Sequence, residues 1–276
     1  MVLSSRQNAD LMKRVFLTGA SSGIGLATAH ALVARGHEVW ATSRALERIP
    51  QSDRLHPIAL DLSDRQSIAN AFHHALSQAG HFDVLINNAG SGHFGPAENL
   101  SDEEIQNQFQ VLVFGHLQLM RMGLRAMRAH GEGLIINVTS LASRLPVPFM
   151  AAYNAGKAAM AAFTMSVQIE LPDSRVRIVD LQPADICTSF NDAVVRNSDA
   201  GYEARVAKTW ITVGKNMKEA PPPELVARHI CKLVDSTGTL TRRTVGGIFQ
   251  TKIAPLIFRF LPQGVRVWGL KKYYGI

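Results

Sequence analysis

Short apolar runs and longer stretches of mixed polarity alternate along the chain from Arg14 onward. The runs are rich in β-branched side chains and are apolar at successive positions, which is typical of strands buried on both faces of a parallel sheet. They occupy residues 14–18, 37–43, 55–60, 82–87, 133–139 and 176–181. Stretches with the length and spacing of helices lie at residues 23–35, 64–79, 102–130 and 151–171. This order predicts an α/β fold, a doubly wound parallel sheet with helices on both faces.

We expect a single catalytic domain, because no linker rich in Pro, Gly or Ser divides the chain. The predicted parts are an N-terminal arm at residues 1–12, a domain at residues 13–240 and a C-terminal extension at residues 241–276. Residues 186–220 show weak periodicity and mixed polarity between a predicted strand and the next helix. A long excursion of this kind predicts a lid over a functional site.

The composition is that of a globular protein. The 276 residues are 46% hydrophobic and 18% charged, so enough apolar surface exists to offset the entropy of ordering the chain. The two cysteines indicate a reducing compartment, and we expect a cytoplasmic protein. The sequence has neither a run of 18 apolar residues nor an apolar secretory segment after Met1, which predicts no transmembrane helix or signal peptide. The histidines and cysteines lack ligand spacing, so no metal site is predicted.

The positive charge of the chain is concentrated in its tail. The net charge is +7, and seven basic residues but no acidic residue follow Asp235, whereas the preceding part holds 22 of each sign. A nucleic-acid partner is not expected, because such folds spread basic groups and aromatic platforms over one face. Apolar side chains, including Trp268, are interleaved with the cations, which predicts peripheral contact with an anionic membrane surface. The alternative is packing on its own domain or a partner subunit, because Pro255 and Pro262 interrupt any long helix.

A glycine-rich turn follows the first predicted strand and precedes a predicted helix. Glycines at this spacing let the backbone approach a pyrophosphate, and the helix N-terminus favours its negative charge. The predicted cofactor contacts in this turn are Thr18, Gly19, Ser21, Ser22, Gly23, Ile24 and Gly25. A tight strand-to-helix turn is the alternative, but the position after the first strand favours a dinucleotide site.

The second predicted strand ends without the acidic residue that binds the adenosine ribose in NAD enzymes. It ends instead at Arg44, whose guanidinium has a fixed charge and a fork that suits a phosphate. We therefore predict that Arg44 binds a 2′-phosphate and that the cofactor is NADP rather than NAD. The alternative is a solvated surface arginine.

An acid–base pair is predicted at the start of the helix at residues 151–171. Tyr153 and Lys157 are four residues apart and share one helical face. A lysine cation beside a phenol lowers the pKa of the phenol, which would let Tyr153 exchange a proton near neutral pH. Ser140, at the end of the fifth run, is placed to hydrogen-bond the same substrate oxygen. A surface pair on the helix is the alternative.

Together, the glycine turn, Asn87-Asn88-Ala89-Gly90, Ser140, Tyr153 and Lys157 resemble the short-chain dehydrogenase/reductase family, from about Lys13 to Val234. The resemblance implies a Rossmann-like sheet of about seven strands and hydride transfer with NAD(P). It also implies that Tyr153 is the general acid/base, that Ser140 orients the substrate oxygen and that Lys157 holds the nicotinamide ribose. Further cofactor contacts implied by the resemblance are Asp61, Leu62, Asn88, Ala89, Gly90, Pro183, Ile186 and Thr188. A homodimer or homotetramer, formed through the two long helices, is also implied.

Two positions depart from the family pattern. Leu112 stands where the family often has an Asn in its long helix, and Ala184 replaces the glycine that usually follows Pro183. Gln108 and His116 lie one turn from Leu112 and either substitute for the Asn in a proton relay or serve as packing residues. Leu112 also supports an alternative function, that of a dinucleotide-binding sensor or scaffold with weak or no turnover.

The substrate signal is an apolar one. Residues 145–150 predict an apolar wall, and the lid contributes further large apolar side chains: Phe190, Val194, Val195, Tyr202 and Trp210. These side chains either face a lipophilic substrate or pack the lid onto the core. We predict interconversion of a lipophilic ketone or aldehyde with its alcohol, on a substrate of steroid, retinoid or fatty-acyl type.

Overall fold

The computed structural model describes residues 12–171, 175–238 and 240–276, so the predicted N-terminal arm lies outside the described residues except for Met12. A seven-stranded parallel sheet forms the centre. Its strands are β1 (Arg14–Thr18), β2 (Glu38–Ser43), β3 (Leu55–Ala59), β4 (Val84–Asn87), β5 (Glu132–Val138), β6 (Arg175–Pro183) and β7 (Arg242–Val245). They lie in the order β3-β2-β1-β4-β5-β6-β7.

Helices cover both faces of this sheet. They are α1 (Gly23–Val33), α2 (Arg65–Ala79), α3 (Asp102–Phe109), α4 (Gly115–His130), α5 (Ala151–Glu170), α6 (Glu203–Glu219), α7 (Glu224–Val234), α8 (Ala254–Phe260) and α9 (Gln263–Tyr274). A π-helical turn at Gln110–Phe114 joins α3 to α4, and a second at Phe249–Ile253 leads into α8. Within the described residues, no helix combines the length and apolar character needed to cross a bilayer.

The sheet divides the interior into two cores. Successive side chains of a strand point to opposite faces, so β1 places Val15 and Leu17 in one core and Phe16 in the other, all fully buried. The first core includes side chains of α1 and α7, and the second includes side chains of α2, α4 and α5. Strands apolar on both faces therefore lie where the pattern predicts them, and the doubly wound α/β fold is confirmed.

The six strands predicted from the sequence are all present, but the seventh was not recognised. Its residues, Arg242–Val245, are few and mostly polar, because β7 is an edge strand with one neighbour in the sheet. The Arg242 Nε atom donates to the Asp180 carboxylate at 2.8 Å, which explains a cation in a strand. The sheet therefore continues through Val245, five residues beyond the domain boundary predicted at residue 240.

The predicted lid at residues 186–220 contains more regular structure than its weak periodicity indicates. It holds a two-residue strand, Val195–Arg196, which pairs with His93–Phe94, and then the 17-residue helix α6. Only Val206 and Thr209 of α6 are fully buried, so its apolar stripe is narrow. A helix that lies over the body of the protein rather than inside it leaves a weak hydrophobic pattern.

Candidate active site

A cavity of about 730 Å³ opens where the carboxyl ends of the strands meet. Ligands of open α/β sheets bind at this edge, where the strand order reverses between β1 and β4. The cavity is lined by every predicted catalytic and cofactor residue except Thr18. The structure therefore brings together in one site residues that are up to 169 positions apart, from Gly19 to Thr188.

Thr18 is the exception because it lies fully buried beneath the glycine turn. Its Oγ1 accepts hydrogen bonds from the backbone N–H groups of Asn88, at 2.9 Å, and Ala89, at 3.0 Å. The Asn88 side chain in turn donates to the carbonyl of Thr18 at 2.9 Å. Thr18 is thus not exposed to the cavity, and its hydroxyl fixes the end of β4 to the end of β1.

The glycines of the turn are required by close backbone contacts. A Cβ atom on Gly25 would lie 2.0 Å from the Gly19 carbonyl oxygen, and one on Gly19 would lie 2.7 Å from Ala89 Cα. Gly19 and Gly23 also have φ values of +72° and +52°, which favour glycine. The turn is thus pressed against the Asn88–Gly90 segment, and helix α1 begins at the cavity. This arrangement fits the pyrophosphate of a dinucleotide, because a helix N-terminus attracts anions.

The adenosine end of the cavity carries two arginines. Arg44 is exposed directly after β2, and Arg48, which the sequence analysis did not single out, lines the same cavity from the short 3₁₀ turn Leu46–Arg48. Asp61 Oδ1 accepts hydrogen bonds from the Ser63 N–H at 2.9 Å and the Ser63 hydroxyl at 2.7 Å. Burial acts to raise the pKa of Asp61, but these hydrogen bonds and the Arg44 charge outweigh it, so the pKa is lowered.

Tyr153 and Lys157 lie on the first turns of α5, beside Ser140 at the end of β5. The Lys157 Nζ atom donates to the Val138 carbonyl at 2.9 Å and lies 5.8 Å from the centre of the Tyr153 ring. Ser140 hydrogen-bonds to Tyr153, and its Oγ also accepts from the Ala142 N–H at 3.0 Å. One phenol, one hydroxyl and one ammonium group therefore meet at the centre of the cavity.

Burial is the main cause of the shifted pKa values of Tyr153 and Lys157. It raises the pKa of Tyr153 to about 12, although the hydrogen bond from Ser140 acts in the opposite direction. Burial also lowers the pKa of Lys157 to about 8, against the attraction of Asp180. The expectation that Lys157 lowers the pKa of Tyr153 towards neutrality is therefore wrong for this arrangement, because desolvation of the phenol is the larger effect. At neutral pH Tyr153 carries its proton and Lys157 its charge.

Leu112 fills the space beside Lys157. It is fully buried in the π-helical turn, and a Cβ atom on Gly156 would lie 3.2 Å from its Cδ1 atom. Gln108 donates to the Ser91 carbonyl at 2.6 Å, and His116 Nδ1 lies 3.3 Å from the Leu112 carbonyl. Within the described residues neither side chain hydrogen-bonds to Lys157. Burial first, and then the Lys157 charge, lower the pKa of His116 to about 3, so its ring is neutral.

The second departure from the family pattern, Ala184, is accommodated by a distant glycine. The Ala184 N–H donates to the Val245 carbonyl at 2.8 Å. Gly246, which follows Val245, has a φ of +147°. A Cβ atom on Gly246 would lie 2.7 Å from the Ala184 methyl group. The methyl group added at residue 184 is thus matched by the missing side chain at residue 246.

The substrate end of the cavity is apolar. Leu145, Val147 and Met150 line it, together with Phe190, whose ring centre lies 5.5 Å from that of Tyr153. The other predicted lid residues do not line it. Val194 is buried in the apolar cluster that also contains Met150, Tyr202 and Trp210 pack against this cluster, and Val195 is exposed. Of the five predicted lid side chains, Phe190 therefore lines the cavity and the other four do not.

Residues 246–276, here called the roof segment, close the cavity. Side chains of this segment that line the cavity include Phe249, Ile257, Phe258, Leu261, Val265 and Leu270. The segment is anchored to α6 by a hydrogen bond of 2.9 Å from the Asn216 amide to the Tyr273 hydroxyl, and Tyr274 is buried. From the sequence, the apolar residues of this tail were predicted to contact a membrane or to pack on the domain or a partner subunit. That several of them line the cavity was not predicted.

The comparisons with known proteins agree with this geometry. A family model described as short chain dehydrogenase matches residues 13–199. The chain belongs to the short-chain dehydrogenase/reductase family, as its motifs predict, and is an oxidoreductase that acts on CH–OH and carbonyl groups. Its fold binds a nicotinamide dinucleotide.

Individual relatives match almost the whole chain. A 3-ketodihydrosphingosine reductase from Bacteroides thetaiotaomicron is 28% identical over 266 residues, 95% of this chain and 98% of the relative. An NADPH-dependent 1-acyldihydroxyacetone phosphate reductase from Saccharomyces cerevisiae is 28% identical over 279 residues, which cover 95% of this chain and 91% of the relative. A crystal structure of a short-chain dehydrogenase from Streptomyces avermitilis superposes with a TM-score of 0.78, at 27% identity, over 95% and 94% of the chains.

Proposed function

We propose that the protein is an NADPH-dependent reductase of lipophilic ketones or aldehydes, with oxidation of the alcohol as the reverse reaction. The observation that carries this proposal is the apolar wall of the cavity that Tyr153 lines, to which Leu145, Val147, Met150, Phe190 and the roof segment contribute. The two relatives above support it, since one is named for the reduction of 3-ketodihydrosphingosine and the other for the reduction of 1-acyldihydroxyacetone phosphate.

The choice of NADP over NAD rests on charge at the adenosine end. Arg44 and Arg48 both line the cavity there, and β2 ends without an acidic residue. A guanidinium pairs well with a phosphate, whereas an acid would repel it. The yeast relative, whose name states NADPH dependence, supports the same choice.

The proposed mechanism is proton donation by Tyr153 to the substrate oxygen. The cofactor, held by the glycine turn and Lys157, would supply the hydride for the carbonyl carbon. The Ser140 hydroxyl and the Tyr153 phenol bind the carbonyl oxygen, and Tyr153, protonated because burial raises the pKa of its phenol, transfers its proton as negative charge develops there. The Lys157 ammonium holds the ribose and stabilises the phenolate that remains. The apolar wall excludes water from these groups.

Turnover with a panel of ketones tests this proposal. We expect NADPH oxidation to be faster with long-chain ketones than with short ones. Tyr153→Phe keeps the ring but loses the proton, and should lower kcat/KM by about a hundredfold to ten-thousandfold while NADPH still binds. Full activity in Tyr153→Phe would refute the mechanism. NADPH binding without turnover of any ketone would instead favour the sensor or scaffold, the function that Leu112 supports.

We also propose a homodimer or homotetramer formed through α4 and α5. The outer face of α5 combines small and apolar side chains, with Ala162 exposed and Met165 and Ile169 51% and 79% exposed. Such a face packs closely against a copy of itself. Ala161, in contrast, is buried and packs inside the subunit. Light scattering should show a dimer or tetramer, and Ile169→Glu should shift it towards the monomer.

A last part of the proposal is peripheral binding to anionic membranes through the outer face of the roof segment. Leu256, Phe260 and Trp268 are each at least 60% exposed there, among cations such as Lys252 and Arg259. Each cation near an anionic leaflet contributes about 1 kcal/mol. We expect salt-sensitive sedimentation with anionic but not neutral liposomes. Full-length protein that ignores anionic liposomes at low salt would contradict this.

A further inference from the structure

The charge of Lys157 is buried without a carboxylate in direct contact. Lys157 is 5% exposed, and its Nζ atom donates to the Val138 carbonyl at 2.9 Å. Within the described residues no Asp or Glu oxygen lies within 4.0 Å of this nitrogen. A buried cation is unfavourable unless hydrogen bonds and an opposite charge offset its desolvation. The structure therefore poses the question of which group supplies that charge.

A buried carboxylate on the neighbouring strand is connected to the carbonyl that holds Lys157. Asp180 of β6 is 1% exposed, and its Oδ1 atom accepts a hydrogen bond from the Thr139 hydroxyl at 2.5 Å. The nitrogen of Thr139 is bonded to the carbonyl carbon of Val138, so both belong to one peptide unit. The same N–H donates to the Leu181 carbonyl at 2.8 Å. This peptide is thus fixed to β6 through its backbone and through the next side chain.

The Asp180 carboxylate is fully satisfied by donors. Besides the hydrogen bond from Thr139, its Oδ2 atom accepts from the Gln182 amide at 2.7 Å and from Arg242 Nε at 2.8 Å. Three donors, one of them charged, offset the cost of burying an anion. A buried ion pair often adds little stability over neutral side chains of the same shape. Stability alone therefore does not explain a carboxylate at this position.

We propose that Asp180 is a positioning residue for Lys157. Its carboxylate fixes the Val138–Thr139 peptide, whose carbonyl holds the ammonium group, and it supplies the negative charge that offsets the buried cation. This inference rests on the proposed function, in which Lys157 holds the cofactor ribose and stabilises the phenolate of Tyr153. Asp180 itself does not line the cavity, so its effect passes through the peptide and through its charge.

The ionisable groups around the ammonium group agree with this role. His116 of α4 is neutral, because burial and the Lys157 charge lower its pKa to about 3, and Tyr153 is protonated, because burial raises its pKa to about 12. Asp185 lines the same cavity, and its charge acts on Tyr153. Burial lowers the pKa of Lys157 to about 8, and the Asp180 charge acts in the opposite direction. Loss of the carboxylate should therefore lower the pKa of Lys157 further.

A direct titration of Lys157 tests this inference without substrate. In full-length protein labelled with carbon-13, the Cε resonance of Lys157 is assigned by its absence from Lys157→Arg and followed against pH. Asp180→Asn keeps the shape but removes the charge, and should lower the midpoint by about one pH unit. Glu132→Gln is the matched control, because it removes an ion pair with Arg175 at the other end of the same two strands. It should leave the midpoint unchanged, and an unchanged midpoint in Asp180→Asn would overturn the inference.

A second variant separates the charge of Asp180 from a purely structural ion pair. Asp180→Asn and Arg242→Gln both remove the pair, so a structural role predicts that the two variants behave alike. The inference predicts that they differ, because Arg242→Gln removes a cation and leaves the carboxylate in place. Its midpoint for Lys157 should lie at or above the wild-type value. An equal fall of the midpoint in both variants would overturn the inference.

The hydrogen bond from Thr139 is tested by NADPH binding, which also serves if Asp180→Asn fails to fold. Thr139→Val keeps the shape but removes the hydroxyl, and should raise the Kd for NADPH by about threefold to tenfold at pH 7. Thr139→Ser, which retains the hydroxyl, should recover most of the affinity. Equal affinities of Thr139→Val and wild-type protein in a fluorescence titration would overturn the inference.

Activity measurements distinguish a failure of this inference from a failure of the proposed function. If wild-type protein reduces long-chain ketones, the alkaline fall of kcat/KM should move to lower pH in Asp180→Asn by the same interval as the titration of Lys157. A loss of kcat/KM at every pH, with the position of the fall unchanged, would overturn the inference and leave the proposed function intact. If wild-type protein reduces no ketone, the proposed function fails, and the titration of Lys157 still decides whether Asp180 controls its charge.

Discussion

The two halves of the cavity are built in different ways. The cofactor half is made of backbone that is pressed against backbone, as where Gly19 meets Ala89, and its residues sit in short loops directly after strands. The substrate half is made of side chains from three distant segments, residues 145–150, the lid and the roof segment. Close backbone contacts demand glycine and therefore leave a local sequence signature, whereas an apolar wall can be made by many side chains and leaves none.

The largest expected effect is in the cofactor half. Gly25→Ala places a methyl group within 2.0 Å of the Gly19 carbonyl, so the turn must open. We expect NADPH affinity to fall by more than about a hundredfold and stability to fall by about 1–3 kcal/mol. Fluorescence titration measures the NADPH affinity, and thermal unfolding measures the stability.

Gly214→Ala is the matched control, because among the described residues no heavy atom outside the adjoining backbone of α6 lies within 4 Å of a Cβ at this position. It should leave NADPH binding unchanged and stabilise the protein by about 0.5–1 kcal/mol. If Gly25→Ala binds NADPH as well as this control does, the cofactor half is not fixed by backbone contact.

Arg44→Ala should have the next largest effect. Removal of a hydrogen bond to a charged phosphate costs about 1.5–3 kcal/mol, so the Kd for NADPH should rise by about tenfold to a hundredfold. NADH lacks the phosphate, so its Kd should barely change. Arg48→Ala measures the contribution of the second arginine. An equal loss for both cofactors in Arg44→Ala would show that Arg44 has a structural role only.

The pH dependence of reduction should report Lys157. Because burial lowers the pKa of Lys157 to about 8, its charge is present below this pH and is lost as the pH rises through it. We expect kcat/KM to fall by about tenfold between pH 7 and pH 9. Tyr153, with its pKa raised to about 12, keeps its proton across this range. In Lys157→Arg, whose charge persists, the fall should be absent, and a fall that remains would assign it to another group.

The smallest expected effect is in the substrate half. Phe258→Ala removes an apolar side chain from the cavity wall, and should raise KM for a long-chain ketone by about fivefold. Phe260→Ala, in the same helix, is the control, because Phe260 is 76% exposed and does not line the cavity. Both variants should bind NADPH like the wild type. Equal KM values in the two variants would mean that the roof segment does not contact the substrate.

The same contrast explains what the sequence predicts well. The periodicity of β1 to β6 and of the long helices reflects burial on two faces, so their positions follow from apolar runs. The glycine turn, Tyr153 and Lys157 are local motifs, and each lies at the cavity as expected. No local motif in the sequence indicates the direction of the Thr18 hydroxyl. Only the fold shows that it lies beneath the turn.

The rest depends on contacts between segments far apart in the chain. Asp185 accepts a hydrogen bond from Gln250, 65 residues later, and the tolerance of Ala184 depends on Gly246. The protonation of Tyr153 depends on desolvation of its phenol in the fold, which no spacing between two residues encodes. The roof segment is apolar and basic in sequence, and only its docking on α6 separates the face towards the cavity from the face towards solvent.

The residues of the two outer strands oppose pairing of this sheet with strands of other molecules. Its two outer strands are β3 and β7, and an outer strand exposes unpaired backbone groups that can recruit strands from other molecules. Pro57 stands in the middle of β3 and offers no N–H for pairing, while β7 has four residues that begin with Arg242 and Arg243. The features that hid β7 from sequence analysis, its shortness and its charge, are the ones that oppose aggregation through this edge.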